Sequence, residues 1–257
     1  MIKDKKHPEK NNLVRYGKEE TESNPSKNQI IKIDKYSAWR NQFPLVISKK
    51  KLVNKNGARI NPYYYEIFEQ YLMLKYLKPT DVVLEIGARY GIVSNTINLL
   101  LNNKKNHVVV EPDKDVLDAL VKNKELFNSQ FSIVTKPISN HKYLYFVHNE
   151  LGSFTTPIKP KEKSIKIKTI SSEKFFEKYL LKFNVLVADC EGCLENFLQE
   201  NLALLGDLEL IIFKKDNEKH CDYKKIYKLL IKNKFLCVEK LLDNFQQVWI
   251  KKRLKII

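Results

Sequence analysis

What this chain lacks narrows it before any motif is read. Its 257 residues include only four cysteines, Cys190, Cys193, Cys221 and Cys237, all in the last third. There is no charged-then-apolar leader, and the two observations together imply a reducing, cytoplasmic setting. No apolar run approaches the roughly 18 to 20 residues that cross a bilayer, so a soluble protein without a membrane partner is expected. No segment repeats. Acids are scarce beside bases, 30 Asp and Glu against 46 Lys and Arg, for a formal charge of +16. Spread as it is through the chain, that excess permits RNA as a partner without demonstrating it.

What is present is enough for a sizeable core. A hydrophobic content of 43% suits one principal α/β domain with an extension. Residues 1–35 are rich in Lys, Glu, Asn and Ser and too poor in apolar side chains to offset ordering entropy, so a disordered polar tail is expected there. Residues 36–80 read as an N-terminal extension and lead-in helix. Trp39, Phe43, Leu45, Val46 and Ile47 could pack on the domain, and Lys49 to Lys51 form a basic cluster. Asn61-Pro62 opens a helical pattern that runs to Pro79. Tyr63 to Tyr65 could edge a pocket, although aromatics at helical spacing more often belong to a core. Residues 81–257 carry the domain proper.

That domain is organised around Asp81 to Ser94, DVVLEIGARYGIVS. Val82, Val83, Leu84 and Ile86 have the β-branched character of a strand buried on both faces, and Gly87 and Gly91 lead into an apolar helix. Such glycines let the backbone turn tightly and approach a ligand, to which the next helix offers its N-terminal amides. A dinucleotide loop would read G-x-G-x-x-G, whereas this one reads Glu85-x-Gly87-x-x-x-Gly91. The carboxylate would repel a pyrophosphate and favour a cation such as S-adenosylmethionine, with its sulfonium and ammonium groups. Ala88 lies within the same turn.

His107 to Glu111 is a second strand, ended by an acid before Pro112. An acid there accepts hydrogen bonds from ribose hydroxyls in doubly wound sheets. Phe131 to Thr135 is a third, followed by Pro137, Ile138 and Ser139 where an adenine would lie. Lys142 to Val147 and Ser164 to Lys168 alternate like exposed strands about Gly152 to Pro157, which reads as an inserted hairpin or lid. Ser171 or Ser172 caps a helix to Leu181. Phe183 to Cys190 is a buried strand ending in Asp189, followed by Glu191-Gly192 and a helix stopped by Gly206. Leu208 to Phe213 is a fifth strand, ended by Lys214. A helix from Asp222 to Asn233 precedes a terminal hairpin, Phe235 to Glu239 and Gln246 to Lys251. Glu85, Glu111 and Asp189 thus end three core strands and would converge on one crevice. The fold class is α/β and Rossmann-like: a mostly parallel seven-stranded sheet with a C-terminal antiparallel hairpin, the order expected of class I S-adenosylmethionine-dependent methyltransferases.

The motifs Glu85-Ile-Gly87-Ala88-Arg89-Tyr90-Gly91, Glu111-Pro112, Lys168-Thr169-Ile170-Ser171, Val187-Ala188-Asp189-Cys190-Glu191-Gly192 with Glu195, and Asp222-Tyr223-Lys224-Lys225-Ile226 resemble the FkbM-type methyltransferases over residues 80–251. The resemblance implies S-adenosylmethionine as donor and commonly O-methylation of sugars or other small metabolites, so a small-molecule or glycan acceptor. It assigns the glycine turn and Glu111 to the cofactor, and sets Asp189 at the transferred methyl with Glu191 nearby. The chain departs from the family after the fifth strand, where I-I-x-E is expected and Lys214 follows Phe213. That raises an alternative, an RNA ribose 2′-O-methyltransferase. In it Asp189 and Lys214 are joined by a lysine near Lys49 to Lys51 and by Glu239, and a lysine of lowered pKa removes the proton. A catalytically silent binding module that keeps the fold is the reading from another class. Cys190-x-x-Cys193 with His220-Cys221 could be written as a zinc site, but the strand-helix turn already accounts for the first two cysteines and no metal site is assigned. His141, His148 and His220 read as surface residues.

Overall fold

The computed structural model describes residues 51–62, 65–149, 152–242 and 244–252. The expected tail, and the extension as far as Lys50, lie outside the described residues. Lys51 is exposed, and a short antiparallel hairpin follows it, β1 (Leu52–Val53) with β2 (Arg59–Ile60). Leu52 and Ile60 are buried in one cluster with Tyr90, Ile92, Val116 and Phe127, so this part of the extension belongs to the domain core.

The lead-in helix α1 (Ile67–Tyr76) starts later than the sequence pattern implies. The Tyr65 amide donates to the Asn61 carbonyl to close one turn, but Glu66 then adopts φ 51°, a left-handed conformation that interrupts the helix before it can propagate. The buried Gln70 amide donates to the Pro62 and Tyr65 carbonyls, which the break leaves without helical partners.

Five parallel strands follow: β3 (Val83–Ile86), β4 (His107–Val110), β5 (Ser132–Val134), β9 (Val185–Ala188) and β10 (Leu210–Lys214). The intervening strands β6 to β8 belong to the insertion described below. The final hairpin is β11 (Phe235–Leu241) and β12 (Gln246–Lys251), and the sheet order is β11-β12-β10-β9-β3-β4-β5. Strand β12 folds back antiparallel between β10 and β11, setting Gln246 opposite Lys214. Alternation along the strands divides the core in two. Val83, Val185, Val187, Leu210 and Ile212 face α1 and α2 (Ile92–Leu100). Leu84, Ile86, Leu186, Ala188, Ile211 and Phe213 face α4 (Ser172–Tyr179), α5 (Leu194–Glu200) and α7 (Tyr223–Lys232). Each fully buried Leu, Ile or Phe in these layers contributes about 1.5–3 kcal/mol relative to exposure.

Helix α3 (Lys114–Leu126) is capped by the Asp113 carboxylate, which accepts from the Asp115 amide. Ser171 caps α4 in the same manner through the Lys174 amide. The helix expected to run to Gly206 is broken: α5 ends at Glu200, and α6 (Leu204–Asp207) contains Gly206. Asn201 makes the break, its side-chain amide donating to the Phe197 carbonyl while its own backbone leaves the helical region.

The insertion is larger than a hairpin. β6 (Tyr143–Asn149) is the centre of a three-stranded antiparallel sheet between β7 (Gly152–Thr156) and β8 (Ser164–Lys168), so the stretch read as a connection is itself a strand. Cys190 and Cys193 are joined as a disulfide, against the expectation of reduced thiols, and with both sulfurs so bonded the zinc reading falls. Cys221 is a buried free thiol.

Candidate active site

Strand β3 ends at Ile86 and the chain turns through Gly87 at φ 86° and Gly91 at φ 80° into α2. A Cβ on Gly87 would stand 1.8 Å from the Asp189 carbonyl oxygen, so the glycine is demanded by the backbone of the β9 loop as well as by any ligand. A Cβ on Gly91 would meet Leu120 Cδ1 at 2.5 Å. Both glycines therefore hold the carboxyl edge of the sheet together.

Glu111 stands just past β4. Its Oε2 accepts from the Ala88 and Arg89 amides at 3.1 and 2.7 Å, and its Oε1 from the Asp113 amide at 2.8 Å. Burial pushes this carboxyl up to about 7 against the pull of those three amides. Glu85 does not face the crevice as expected. The two-residue period turns it to the α2 side, where Ser94 Oγ donates to it at 3.0 Å and His107 Nε2 lies 2.9 Å away. It is a buried support of the loop, placed behind it.

Asp189 and Lys214 follow β9 and end β10 on the face that α1 covers. Lys214 Nζ lies 3.1 Å from Asp189 Oδ1, 3.2 Å from Asp189 Oδ2 and 3.9 Å from Glu191 Oε1. Glu191, at φ 53°, donates its amide to Asp216, whose other oxygen accepts from the Tyr223 hydroxyl. Burial alone would depress the Lys214 ammonium, but Asp189, Glu69, Glu191 and Asp216 outweigh it and hold the ammonium well above the usual lysine range. This is opposite to the lowered pKa that the ribose-methylation reading requires. That quartet is also not assembled: Glu239 pairs at 2.9 Å with Lys75 on the surface. The positions beside Asp189 and Lys214 are taken by Glu69 and by the buried Gln246, joined at 2.5 Å.

These groups border a cavity of about 750 Å³. Of the expected site residues, Gly87, Glu111, Pro112, Ser139, Asp189, Glu191 and Lys214 line it. Glu85, Ala88 and Gly91, also expected there, do not line it, and Ala88 is packed with Val109, Leu120 and Phe131. Ser139 donates to Glu200 at 3.0 Å. The inner face of the insertion forms the roof through Leu144, Phe146, Ser153 and Thr155, and Ser153 donates to Asp113 at 2.7 Å. His148 stands at this rim 2.9 Å from Ser153, His141 lies by Glu200, and His220 stacks on Phe154. Sequence reasoning missed Glu66 and Glu69, which line the cavity beside Tyr65. The only signal was the adjoining tyrosine run, whose aromatics could edge a pocket.

The strand order is that of the class I methyltransferase fold. No family model matches the chain, and no curated protein does. Among solved structures, an O-methyltransferase from Bacillus cereus in complex with SAH is 11% identical with a TM-score of 0.45, over 88% of this chain and 92% of that one. A precorrin-6y C5,15-methyltransferase from Geobacter metallireducens GS-15 is 13% identical with a TM-score of 0.46, over 72% and 87%. A protein of the NADB-Rossmann superfamily from Streptococcus agalactiae is 11% identical with a TM-score of 0.46, over 74% and 70%. No helix among the described residues is long and apolar enough to cross a membrane.

Proposed function

We propose that this protein transfers a methyl group from S-adenosylmethionine to a hydroxyl of a small acceptor, such as a sugar. The observation that carries this is the charge of the cavity. In a chain of formal charge +16, its lining holds seven carboxyls, Glu66, Glu69, Asp189 and Glu191 together with Glu111, Asp113 and Glu200, against Lys55, Arg89 and Lys214; with Glu66, Glu69 and Glu111 raised by burial, the other four carboxyls still outnumber the three cations. A wall of that sign suits a donor bearing a sulfonium and an ammonium, and opposes a pyrophosphate or a phosphodiester. The volume suits one donor and a small acceptor.

The residues also fit the donor in detail. A carboxylate offers about four acceptor positions, and Glu111 spends three on backbone amides. One remains for a ribose hydroxyl, while Pro112 and Ser139 border the adenine end. Gly87 lets the backbone approach the methionine end beside Asp189. A hydroxyl acceptor would be held at this end of the cavity, between the Asp189–Lys214 pair and Glu69. Holding two reactants in this way supplies about 7–11 kcal/mol when the alignment is good. The motif resemblance to FkbM-type enzymes supports a sugar or small-metabolite hydroxyl. Ribose methylation of RNA is disfavoured by the acidic wall and by the protonated Lys214.

Calorimetry with S-adenosylmethionine, S-adenosylhomocysteine and NAD tests the donor, and donor-dependent product formation on methyl glycosides, uronic acids, catechol and capped RNA tests the acceptor class. Preferential NAD binding, or no heat with either adenosyl compound, overturns the reading. Binding without product on any acceptor points to a silent binding module.

A further inference from the structure

Methylating a hydroxyl leaves one proton to be placed, and the cavity restricts which group can take it. Resting on the methyl-transfer reading above, we propose that Glu69 is the group that accepts the proton of the acceptor hydroxyl.

The other candidates are engaged. Lys214 already carries its proton. Both oxygens of Asp189 lie on the Lys214 ammonium, and Glu191 shares it. Three amides grip Glu111, Ser153 donates to Asp113, Ser139 and the Asn140 amide donate to Glu200, and His148 Nδ1 at the rim is held by Ser153 Oγ at 2.9 Å and Asp113 at 3.5 Å. Burial, with the charges of Glu69 and Asp189, raises Glu66 well above the usual carboxylate range and so opposes its anion.

Glu69 differs in each respect. It sits in the first turn of α1, where the helix dipole favours its anion, and lines the cavity beside Asp189 and Lys214. Gln246 Nε2 donates to Oε1 at 2.5 Å, and Gln246 is itself fixed in the sheet opposite Lys214. Among the described residues its own backbone amide and Gln246 are the groups that hydrogen-bond the Glu69 carboxylate, which leaves it acceptor capacity toward the cavity. The charged and titratable groups facing it are Glu66 on its own stretch, Asp189 after β9 and Lys214 on β10. Burial raises the carboxyl, Lys214 opposes this and Asp189 adds to it, so that it titrates at about 7. A proton acceptor is most effective when it titrates near the working pH.

The step balances. The acceptor O–H bond breaks with its proton passing to Glu69, and an oxygen lone pair forms the bond to the methyl carbon. The carbon–sulfur bond breaks with its electron pair left on sulfur, which turns the sulfonium into a neutral thioether. Glu69 afterwards gives the proton to solvent.

Two measurements on the full chain test the assignment. Carbon NMR of glutamate-labelled protein, with no donor added, compares wild type with Glu69→Gln, which preserves volume and the contact with Gln246. We expect one carboxyl titrating near 7 to vanish in the variant. Its loss from the ordinary range near 4 instead overturns the assignment. Turnover of the methyl glycosides, uronic acids and catechol should fall about 10²- to 10⁴-fold in Glu69→Gln, with affinity for S-adenosylhomocysteine within about twofold of wild type and the acid limb of the pH–rate profile removed. Wild-type turnover by the variant overturns the role of Glu69 and leaves the donor reading standing. A wild-type protein that binds S-adenosylmethionine and methylates none of these acceptors overturns the methyl-transfer reading and the role of Glu69 with it, and leaves donor binding standing.

Discussion

Replacing Gly87 by alanine separates two reasons for a glycine at the head of the loop. If its purpose were only to admit a ligand, the variant would fold normally and fail to bind. The geometry leads to a different expectation. At φ 86° the added Cβ lies 1.8 Å from the Asp189 carbonyl oxygen and 2.7 Å from its carbonyl carbon, and neither is the end of a flexible side chain. Left-handed backbone costs an L-residue about 1–2 kcal/mol. Forcing the β9 loop aside adds about 1–3 kcal/mol, the range for inserting a methyl into a packed interior. A total of about 2–5 kcal/mol lowers the melting temperature by about 4–20 °C for a domain of this size. Gly57 is the control: it has φ 77°, and a Cβ added there would meet no atom within 4 Å, so Gly57→Ala should cost only the backbone share. Urea unfolding of the two variants beside wild type measures the difference. Equal stabilities for Gly57→Ala and Gly87→Ala, with adenosyl binding lost only in the latter, would refute the packing argument and restore the ligand as the sole reason.

Glu111→Ala should lose about 1–3 kcal/mol of stability from three unpaired amides and weaken S-adenosylmethionine binding by about tenfold or more; unchanged urea unfolding would contradict the first. Lys214→Met strips the cation from Asp189, Glu191 and Asp216. Asp216 already titrates at about 7 in place of 3.8, chiefly through burial and then the charges of Asp189 and Glu191. A folded-state pKa so raised gives stability that is present below pH 4 and lost as pH rises through 7. The variant should therefore lose stability more steeply than wild type between pH 5 and 8, by about 1–3 kcal/mol at the upper end of the range in urea unfolding, below the range for a fully buried pair because these carboxylates are partly exposed; parallel curves would count against it. Deleting residues 1–35 should leave melting temperature and donor affinity nearly unchanged, given the polar composition of that stretch.

Short-range pattern was enough to place the five parallel strands, the terminal hairpin and the helix starts at Ser171 or Ser172 and at Asp222, because β-branched runs, helical periodicity and capping chemistry act over a few residues. It also placed Glu111, Asp189 and Lys214 at strand ends. Direction was another matter. Glu85 and Glu111 look alike in sequence, yet one points under α2 to His107 and the other grips the loop amides, a difference set by which neighbours each strand acquires. Only the tertiary structure brought Glu69 to Lys214 and Gln246, since α1 reaches the carboxyl edge by burying Ile67, Phe68, Leu72 and Met73 on the sheet far from those residues in sequence. The same long-range packing decided the protonation of Lys214. A lysine beside one carboxylate can be argued either way, and a lysine enclosed by Asp189, Glu69, Glu191 and Asp216 holds its proton.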